Sequence, residues 1–247
     1  MKLSLIVPVF NEAQHLERWL AYFFGHTFPN GTEFIFIDDC STDGSADILK
    51  TIENKPNVRV LYQSRNQGKG AAVRLGITES KGDEELNQDA DFEYSPKDIP
   101  AILRIFEEDE ADVVYGSRYK NSQTVHRTMH YFVNRFLTMA SNLASGLYVT
   151  DMETCYKAFR GDIIRNITLT SDRFGFEPEI TAKIASLKLR VAEVPIRYFP
   201  RSYLEGKKIR WHDGVAALGH IVRFNFSKRE KEGAIEKVPA LYRRSKS

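Results

Sequence analysis

Short apolar runs alternate with helix-spaced apolar positions through the first half of the chain, and this alternation leaves few folds open. Leu3-Ser4-Leu5-Ile6-Val7-Pro8-Val9 is almost continuously apolar, as a strand buried on both faces must be. Pro8 is expected to mark the end of that strand, because proline has no N–H to give to a ladder. Leu16, Leu20, Phe23 and Phe24 then recur at helical spacing. Residues 33–38 read as a second strand, and Ser41-Thr42-Asp43-Gly44 offers an N-cap to a helix with Ile48, Leu49 and Ile52 on its apolar face. A third strand follows at 58–62, and Asn66-Gln67-Gly68-Lys69-Gly70 turns into a helix reaching Ser80. A fourth strand should run into Asp89, followed by a helix over 96–108 and a strand over 112–115. Strands and helices in this order predict an α/β fold with a parallel sheet and right-handed crossovers.

The second half continues less regularly. Residues 126–147 predict one long helix, 155–159 a strand, 177–187 a helix and 190–196 a late strand. From Trp211 to Phe226 the pattern is helical, with Val215, Leu218, Ile221, Val222 and Phe226 mostly on one face. That face suits either a membrane surface or packing onto the rest of the protein. Residues 227–247 read as a basic, flexible tail on a single domain spanning 1–226. The segment that breaks the pattern is the fourth strand, Gly82-Asp83-Glu84-Glu85-Leu86-Asn87-Gln88. A central strand should be apolar, and burying Glu84, Glu85 or Asn87 without partners is costly. The strand is therefore displaced, or these groups are paired, or this chain carries a destabilising alteration.

Composition narrows the function. With 42% apolar and 28% charged residues the chain is an ordinary globular one. It has no apolar run long enough to span a bilayer and no signal-peptide pattern, and Cys40 and Cys155 make neither a disulfide framework nor a metal-ligand spacing, so a cytosolic chain is expected. The net charge of +2 is unevenly placed: residues 201–247 hold 12 Lys and Arg against 5 Asp and Glu, and residues 1–200 hold 23 against 28. The basic end is either a solvated tail or a surface for anionic lipid headgroups. No nucleic-acid-binding motif accompanies it, and nucleic acid is not an expected partner.

The chemistry is carried by Asp89-Ala90-Asp91. In an extended segment, side chains at i and i+2 point to one side, so both carboxylates can face one point. Such a pair suits a hard divalent cation that keeps positions open for phosphate oxygens. In open α/β sheets ligands bind beyond the carboxyl ends of the strands, where Pro8-Val9-Phe10-Asn11-Glu12, Asp38-Asp39-Cys40-Ser41-Thr42-Asp43-Gly44, Asn66-Gln67-Gly68-Lys69-Gly70 and Gln88-Asp89-Ala90-Asp91 all fall.

The order and spacing of these clusters resemble the family 2 glycosyltransferases of GT-A fold. Tyr115-Gly116-Ser117-Arg118, the run from Thr150 through Asp151, Glu153 and Cys155 to Lys157, and Arg173-Phe174-Gly175-Phe176-Glu177-Pro178-Glu179 are similar to the branch containing dolichyl-phosphate mannose synthase and bacterial polyprenyl-phosphate sugar transferases. The resemblance covers about residues 3–226 and departs from the family at the polar fourth strand. It implies a mostly parallel central sheet flanked by helices, with a nucleotide-binding half over about 1–120 and an acceptor half over 121–226. It implies a metal-dependent inverting hexosyl transfer from a nucleotide diphosphate sugar, of GDP-mannose or UDP-glucose type, to a polyprenyl or dolichyl phosphate. The enzyme would sit peripherally at the cytosolic membrane face, with or without a membrane-anchoring partner subunit.

Carried onto this sequence, the resemblance implies that Pro8, Phe10 and Glu12 flank the nucleoside and that Asp39 binds base or ribose. Lys69 either meets an anion at its helix start or merely solvates the turn. Asp89 and Asp91 would position Mg²⁺ or Mn²⁺ on the diphosphate. Arg118 either grips the acceptor phosphate or forms a structural ion pair. Arg127, Arg135, Asp151, Lys157, Glu177 and Arg201 are weaker candidates on the acceptor side; Lys157 could equally pair with Glu153. Rival readings are transfer to a hydroxyl, with Asp151, Glu177 or Glu179 as base, and a non-catalytic nucleotide-binding scaffold. Nucleotidyl transfer is disfavoured, since the glycine-rich N-terminal phosphate loop with a basic residue is missing.

Overall fold

The chain alternates β1 (Leu3–Val9), α1 (Ala13–Phe24), β2 (Glu33–Asp38), α2 (Ser45–Lys50), β3 (Val58–Tyr62), α3 (Lys69–Glu79) and β4 (Glu84–Asn87). A 3-10 turn at Pro96–Asp98 leads into α4 (Ile99–Glu107) and β5 (Val113–Ser117). Then come α5 (Thr128–Ser145), β6 (Lys157–Arg160), α6 (Gly161–Ile164), α7 (Phe176–Ser186), β7 (Val191–Pro195) and α8 (Trp211–Phe226). This computed structural model describes residues 2–120, 128–173, 175–201, 211–227, 238, 239 and 242, with the backbone alone at 128–130 and 211–213. Arg127, Lys228, Arg229, Lys231 and most of the expected flexible tail lie outside the described residues.

The strands form a seven-stranded sheet in the order β3-β2-β1-β4-β6-β5-β7. The pairs β1–β2, β2–β3, β1–β4 and β5–β7 are parallel, and β6 runs antiparallel between β4 and β5. Both faces are covered. On one, Leu3, Leu5, Val7 and Val9 meet Leu16, Trp19, Leu20 and Phe23 of α1 and Ile102 and Phe106 of α4. On the other, Ile6, Ile35 and Ile37 meet Ala72, Val73 and Ile77 of α3 and a group including Ile180, Ile184 and Ile221. Each such fully buried large side chain contributes about 1.5–3 kcal/mol.

Pro8 does not end β1. It pairs in register with Ile37, and the strand runs on to Val9. The hydrogen bonds explain the tolerance. Ile6 O accepts from Gln88 N and Val9 O from Asp39 N, so alternate residues face β4 and β2. Pro8 faces the β4 side, where Gln88 N to Ile6 O is the last bond of that ladder, so the β1–β4 pairing stops where proline lacks its donor while β1 stays paired with β2.

The polar fourth strand is in place, paired on both sides and buried. Of its acidic side chains, Glu85 has one oxygen partnered at the amino end of the sheet, away from the strand ends that carry the polar loops. Glu85 Oε1 lies 2.6 Å from Arg165 Nη1 and 2.5 Å from Ser80 Oγ. Neighbouring Glu33 accepts from Ser4 Oγ at 2.5 Å and from Lys81 N at 2.6 Å. Ser80 also donates to Ile77 O at 2.8 Å. One hydroxyl hydrogen cannot serve two oxygens at once, so Ser80 divides its donor between Glu85 and Ile77 O while Arg165 donates to Glu85. Burial, the largest cause, pushes the Glu85 carboxyl up to about 8 despite Ser80 and Arg165, and burial together with Asp83 pushes Glu84 up to about 7.

The folded protein therefore holds a proton at Glu85 that the unfolded chain releases near its usual 4.5. Stability from this group is full at acid pH and is lost as pH rises towards 8, because the native state binds more protons over that range. Glu85→Gln should flatten this part of the profile. The melting temperature of the variant minus that of wild type is expected to grow steadily between pH 5 and 8.5. Parallel melting curves across that range would show that Glu85 is ionised in the fold.

Candidate active site

The parallel strands bring their carboxyl ends to one edge, and a cavity of about 430 Å³ opens there. Pro8 and Phe10 line it from β1 and its exit, Asp39 from the end of β2, Asp89 and Asp91 from beyond β4, and Arg118 from beyond β5. Because β6 is antiparallel, the chain entering it reaches the same edge and contributes Glu153 and Cys155. Glu177 comes from the first turn of α7, and Arg201 from the segment after β7.

Asp39 builds the loop between β3 and α3. Its carboxylate accepts from Asn66 Nδ2 at 2.9 Å, Gln67 N at 2.7 Å and Gly68 N at 2.7 Å. Gly68 has φ +98°, and a Cβ there would stand 2.6 Å from Asp172 O. At Gly70 it would stand 2.5 Å from Ser171 O. Both positions need glycine because the 171–173 backbone crosses them, and Ala71 N donates to Asp172 O at 2.9 Å. Lys69 is thereby fixed at the start of α3 with its side chain in the cavity.

Two cation–carboxylate contacts span the site. Lys69 Nζ lies 2.8 Å from Asp89 Oδ1, 3.1 Å from its Oδ2 and 3.8 Å from Glu177 Oε1. Arg201 Nη2 lies 2.7 Å from Asp91 Oδ2, and its Nη1 lies 3.1 Å from Glu12 Oε2. Burial opposes ionisation of Asp89, but the Lys69 ammonium holds its carboxyl below the usual range. Burial and the neighbouring Asp89 charge push Asp91 up to about 8, although Arg201 pulls the other way. Asp91 is buried and Asp89 partly so, and two carboxylates lining one cavity form a donor set that fits a hard divalent cation taking its other ligands from phosphate and water. Among the described residues no group of three or more His, Cys, Asp or Glu surrounds a single point.

Arg118 forms the structural pair that was one of its two expected roles. Its Nε and Nη2 each lie 2.7 Å from a different oxygen of Asp151, and its backbone N donates to Asp151 Oδ2 at 3.0 Å. Asp151 is fully buried, so removing it would strand a guanidinium at a cost of about 3–5 kcal/mol. Arg118 still lines the cavity, with its Cζ 5.0 Å from the centre of the Tyr198 ring.

The weaker candidates separate. Lys157 is buried and donates to Met152 O at 2.8 Å and to Thr154 O, which corrects the expectation that it faces a phosphate or pairs with Glu153. Asp151 serves Arg118. Arg135 is exposed and donates to Thr150 O at 3.1 Å. Glu179 accepts from Lys183, from Thr170 N at 2.8 Å and from Ser171 N at 2.7 Å, outside the cavity lining. Glu177 and Arg201 do line it. Sequence reasoning gave no role to Tyr94, Tyr119, Tyr131 and Tyr198, which wall the cavity. Tyrosines without a motif carry no signal until the fold gathers them. Glu93, which accepts from Arg201 N at 2.8 Å, was also missed, although it lies two residues past Asp91.

The sequence profile of Glycosyl transferase family 2 matches residues 4–168. The undecaprenyl-phosphate mannosyltransferase of Micrococcus luteus is 30% identical over 216 residues, covering 84% of this chain and 87% of that protein. The dolichol-phosphate mannosyltransferase of Pyrococcus furiosus is 26% identical over 246 residues, covering 96% of this chain and 66% of its own length. The chain spans 62% of the undecaprenyl-phosphate 4-deoxy-4-formamido-L-arabinose transferase of Yersinia enterocolitica, at 28% identity over 83% of this chain. Among solved structures, glucosyl-3-phosphoglycerate synthase from Mycobacterium tuberculosis, in complex with Mn²⁺, uridine diphosphate and phosphoglyceric acid, superposes with a TM-score of 0.67. That likeness covers 91% of this chain and 78% of the other at 16% identity, and it bears on fold alone. The expected GT-A architecture is the observed one, and the chain belongs to glycosyl transferase family 2 and is a glycosyltransferase.

Proposed function

We propose that this glycosyltransferase moves a hexose from a nucleotide diphosphate sugar to a polyprenyl phosphate, with inversion at the anomeric carbon. The observation that carries the reading is one cavity holding both an acidic pair, Asp89 and Asp91, and the buried cation Arg118 beyond the next parallel strand end. The acidic pair suits the donor diphosphate and Arg118 suits the acceptor phosphate. The relatives named for transfer to undecaprenyl or dolichol phosphate support the same acceptor class.

In this mechanism Pro8 and Phe10 flank the nucleoside, and Asp39 holds the loop that delivers Lys69 to the diphosphate. Asp89 and Asp91 would hold Mg²⁺ or Mn²⁺, which supplies neutralisation of charge on the leaving nucleoside diphosphate. Arg118, oriented by Asp151, presents its cationic edge to the acceptor, and Tyr119 and Tyr198 beside it exclude water. A phosphate monoester has its second pKa near about 6, so it attacks already ionised and needs no tuned base. A hydroxyl acceptor would need one. Of the three carboxylates expected as bases, Asp151 is engaged by Arg118, Glu179 by Lys183, and Glu177 lines the cavity. Incubating the protein with GDP-mannose or UDP-glucose and either a polyprenyl phosphate or a panel of sugar hydroxyls separates the two. Labelled product in the lipid phase is the expected result, and product only on hydroxyls would overturn it.

Asp91→Ala should lower transfer by on the order of 100-fold or more, the scale of losing one preorganised electrostatic contact at a transition state. Its melting temperature should stay near that of wild type. Transfer within a few-fold of wild type would remove Asp91 from the reacting centre.

A lipid acceptor also requires the cavity to meet a membrane, and no described helix is long and apolar enough to cross one. We assign the contact to α5 and α8. Phe132, Phe136, Met139 and Leu143 form an exposed stripe along α5, with Leu143 75% exposed, and Tyr131 and Asn134 of the same helix line the cavity. On α8, which packs beside α5, Val215, Val222 and Phe226 are exposed at helical spacing while Ala217, Ile221 and Phe224 face the core. The expected apolar face of α8 thus divides between packing and exposure. Burying such stripes in an interface adds to attraction of the basic end for anionic lipid, at roughly 1 kcal/mol per residue near the surface. Co-sedimentation with liposomes should rise with anionic lipid, fall with salt and drop in a Phe136→Asp/Leu143→Asp variant. No binding at low salt would leave a membrane-anchoring partner as the means of delivery.

A further inference from the structure

Within the cavity, the mechanism leaves Glu153 without a task. Its Oε1 is buried and has no hydrogen-bond partner among the described residues. The cation nearest in sequence, Lys157, spends its donors on the carbonyls of Met152 and Thr154. Burial, with Glu177 adding to it, pushes the Glu153 carboxyl up to about 7. A buried acceptor left unsatisfied costs about 1–3 kcal/mol, so a ligand that donates a hydrogen bond there is favoured.

The surrounding charges decide what kind of ligand this is. Glu153 and Glu177 line the cavity together, and Glu177 connects through Lys69, at 3.8 Å, to Asp89. A phosphate set against these two carboxylates would be repelled. The cations that suit phosphates, Lys69, Arg118 and Arg201, stand around this acidic floor. Glu153 also lies two residues from Asp151, which holds Arg118. The charges of Arg118 and Glu177 both act on its carboxyl, and Glu177 leads through Lys69 to Asp89, so Glu153 borders the path a hexosyl group would take from one phosphate to the other. The part of the donor that is neutral and rich in hydroxyl donors is its sugar.

We infer that Glu153, with Glu177 beside it, accepts hydrogen bonds from hydroxyl groups of the transferred hexose and so helps to set which sugar this enzyme takes. The inference rests on the donor assignment above and adds the residues that read the sugar. A site built to bond a hydroxyl discriminates strongly against a sugar that lacks or inverts it, because its own buried acceptor is then left unpaired.

Calorimetric titration of the full chain with GDP, UDP, GDP-mannose and UDP-glucose tests this. Wild type should bind one nucleotide sugar more tightly than the matching bare nucleoside diphosphate. Glu153→Ala should retain affinity for the bare nucleotide within about twofold and lose about tenfold or more for the nucleotide sugar, the range of one hydrogen bond to a charged or buried group, whereas Glu153→Gln, which keeps an acceptor oxygen, should lose less. Melting temperatures check that the variants fold, and bare-nucleotide binding in the same sample excludes a general collapse of the site. Equal loss for nucleotide and nucleotide sugar, or unchanged affinity for both, would overturn the inference while leaving the proposed reaction standing. A wild type that binds none of the four ligands would overturn the donor assignment itself.

Discussion

Two carboxylates just past the end of one strand, Asp91 buried and Asp89 partly so, are the constraint around which the rest of the site is arranged. The Asp89 charge raises the carboxyl of the buried Asp91, and that repulsion is met by cations. Lys69 meets Asp89 from the start of α3, and Arg201 meets Asp91 from the far end of the chain. Neither cation would be in place without a further device. Lys69 depends on the Asp39 carboxylate gathering three donors from residues 66–68 and on two glycines lying under the 171–173 backbone. Arg201 depends on Glu12 and Glu93, which hold its guanidinium and backbone across the cavity. A buried charge is tolerable only when paired and hydrogen-bonded, and here the partners also define the walls of the cavity.

The sheet topology does the other half of the work. Parallel strands deliver Asp39, Asp89, Arg118 and Arg201 to one edge, each on the loop that follows a strand. The antiparallel β6 delivers the segment before it, bringing Asp151 to hold Arg118 and Glu153 to the floor. A single reversed strand thus places acidic groups between the donor and acceptor ends. The amino edge of the same sheet shows the opposite solution to buried charge. Glu85 there has its carboxyl raised by burial and one oxygen held by Ser80 and Arg165, so a polar sequence fills a central strand without breaking its ladder.

Much of the architecture was legible from residue order. The strands at Leu3–Val9, Glu33–Asp38 and Val58–Tyr62 and the helix Trp211–Phe226 follow directly from their apolar spacing. The strand entering the acidic floor was expected at 155–159 and lies at Lys157–Arg160, because its register is set by pairing with β4 and β5. Pro8 misled because it ends the ladder on its β4 side only, and β1 stays paired with β2 through Val9. The division of α8 into a buried and an exposed stripe was hidden because both stripes are apolar, and only the position of α5 decides which one faces the core.

What the sequence by itself determined is the set of chemical groups at the strand ends: the Asp89–Asp91 pair, Asp39, Lys69 and Arg118, together with the alternation that brings them to one edge. Those follow from local spacing and from the handedness of parallel crossovers, which hold wherever such a pattern occurs. What only the tertiary structure decided is how each group is engaged. Asp151 is committed to Arg118, Lys157 to backbone carbonyls and Glu179 to a helix lysine, whereas Glu153 keeps in the cavity an oxygen with no partner among the described residues. Partners 33 residues apart for Arg118 and Asp151, or 110 for Arg201 and Asp91, meet through folding alone. Burial then fixes the outcome, since a polar group removed from water must take whatever partner the packed chain offers or wait for a ligand.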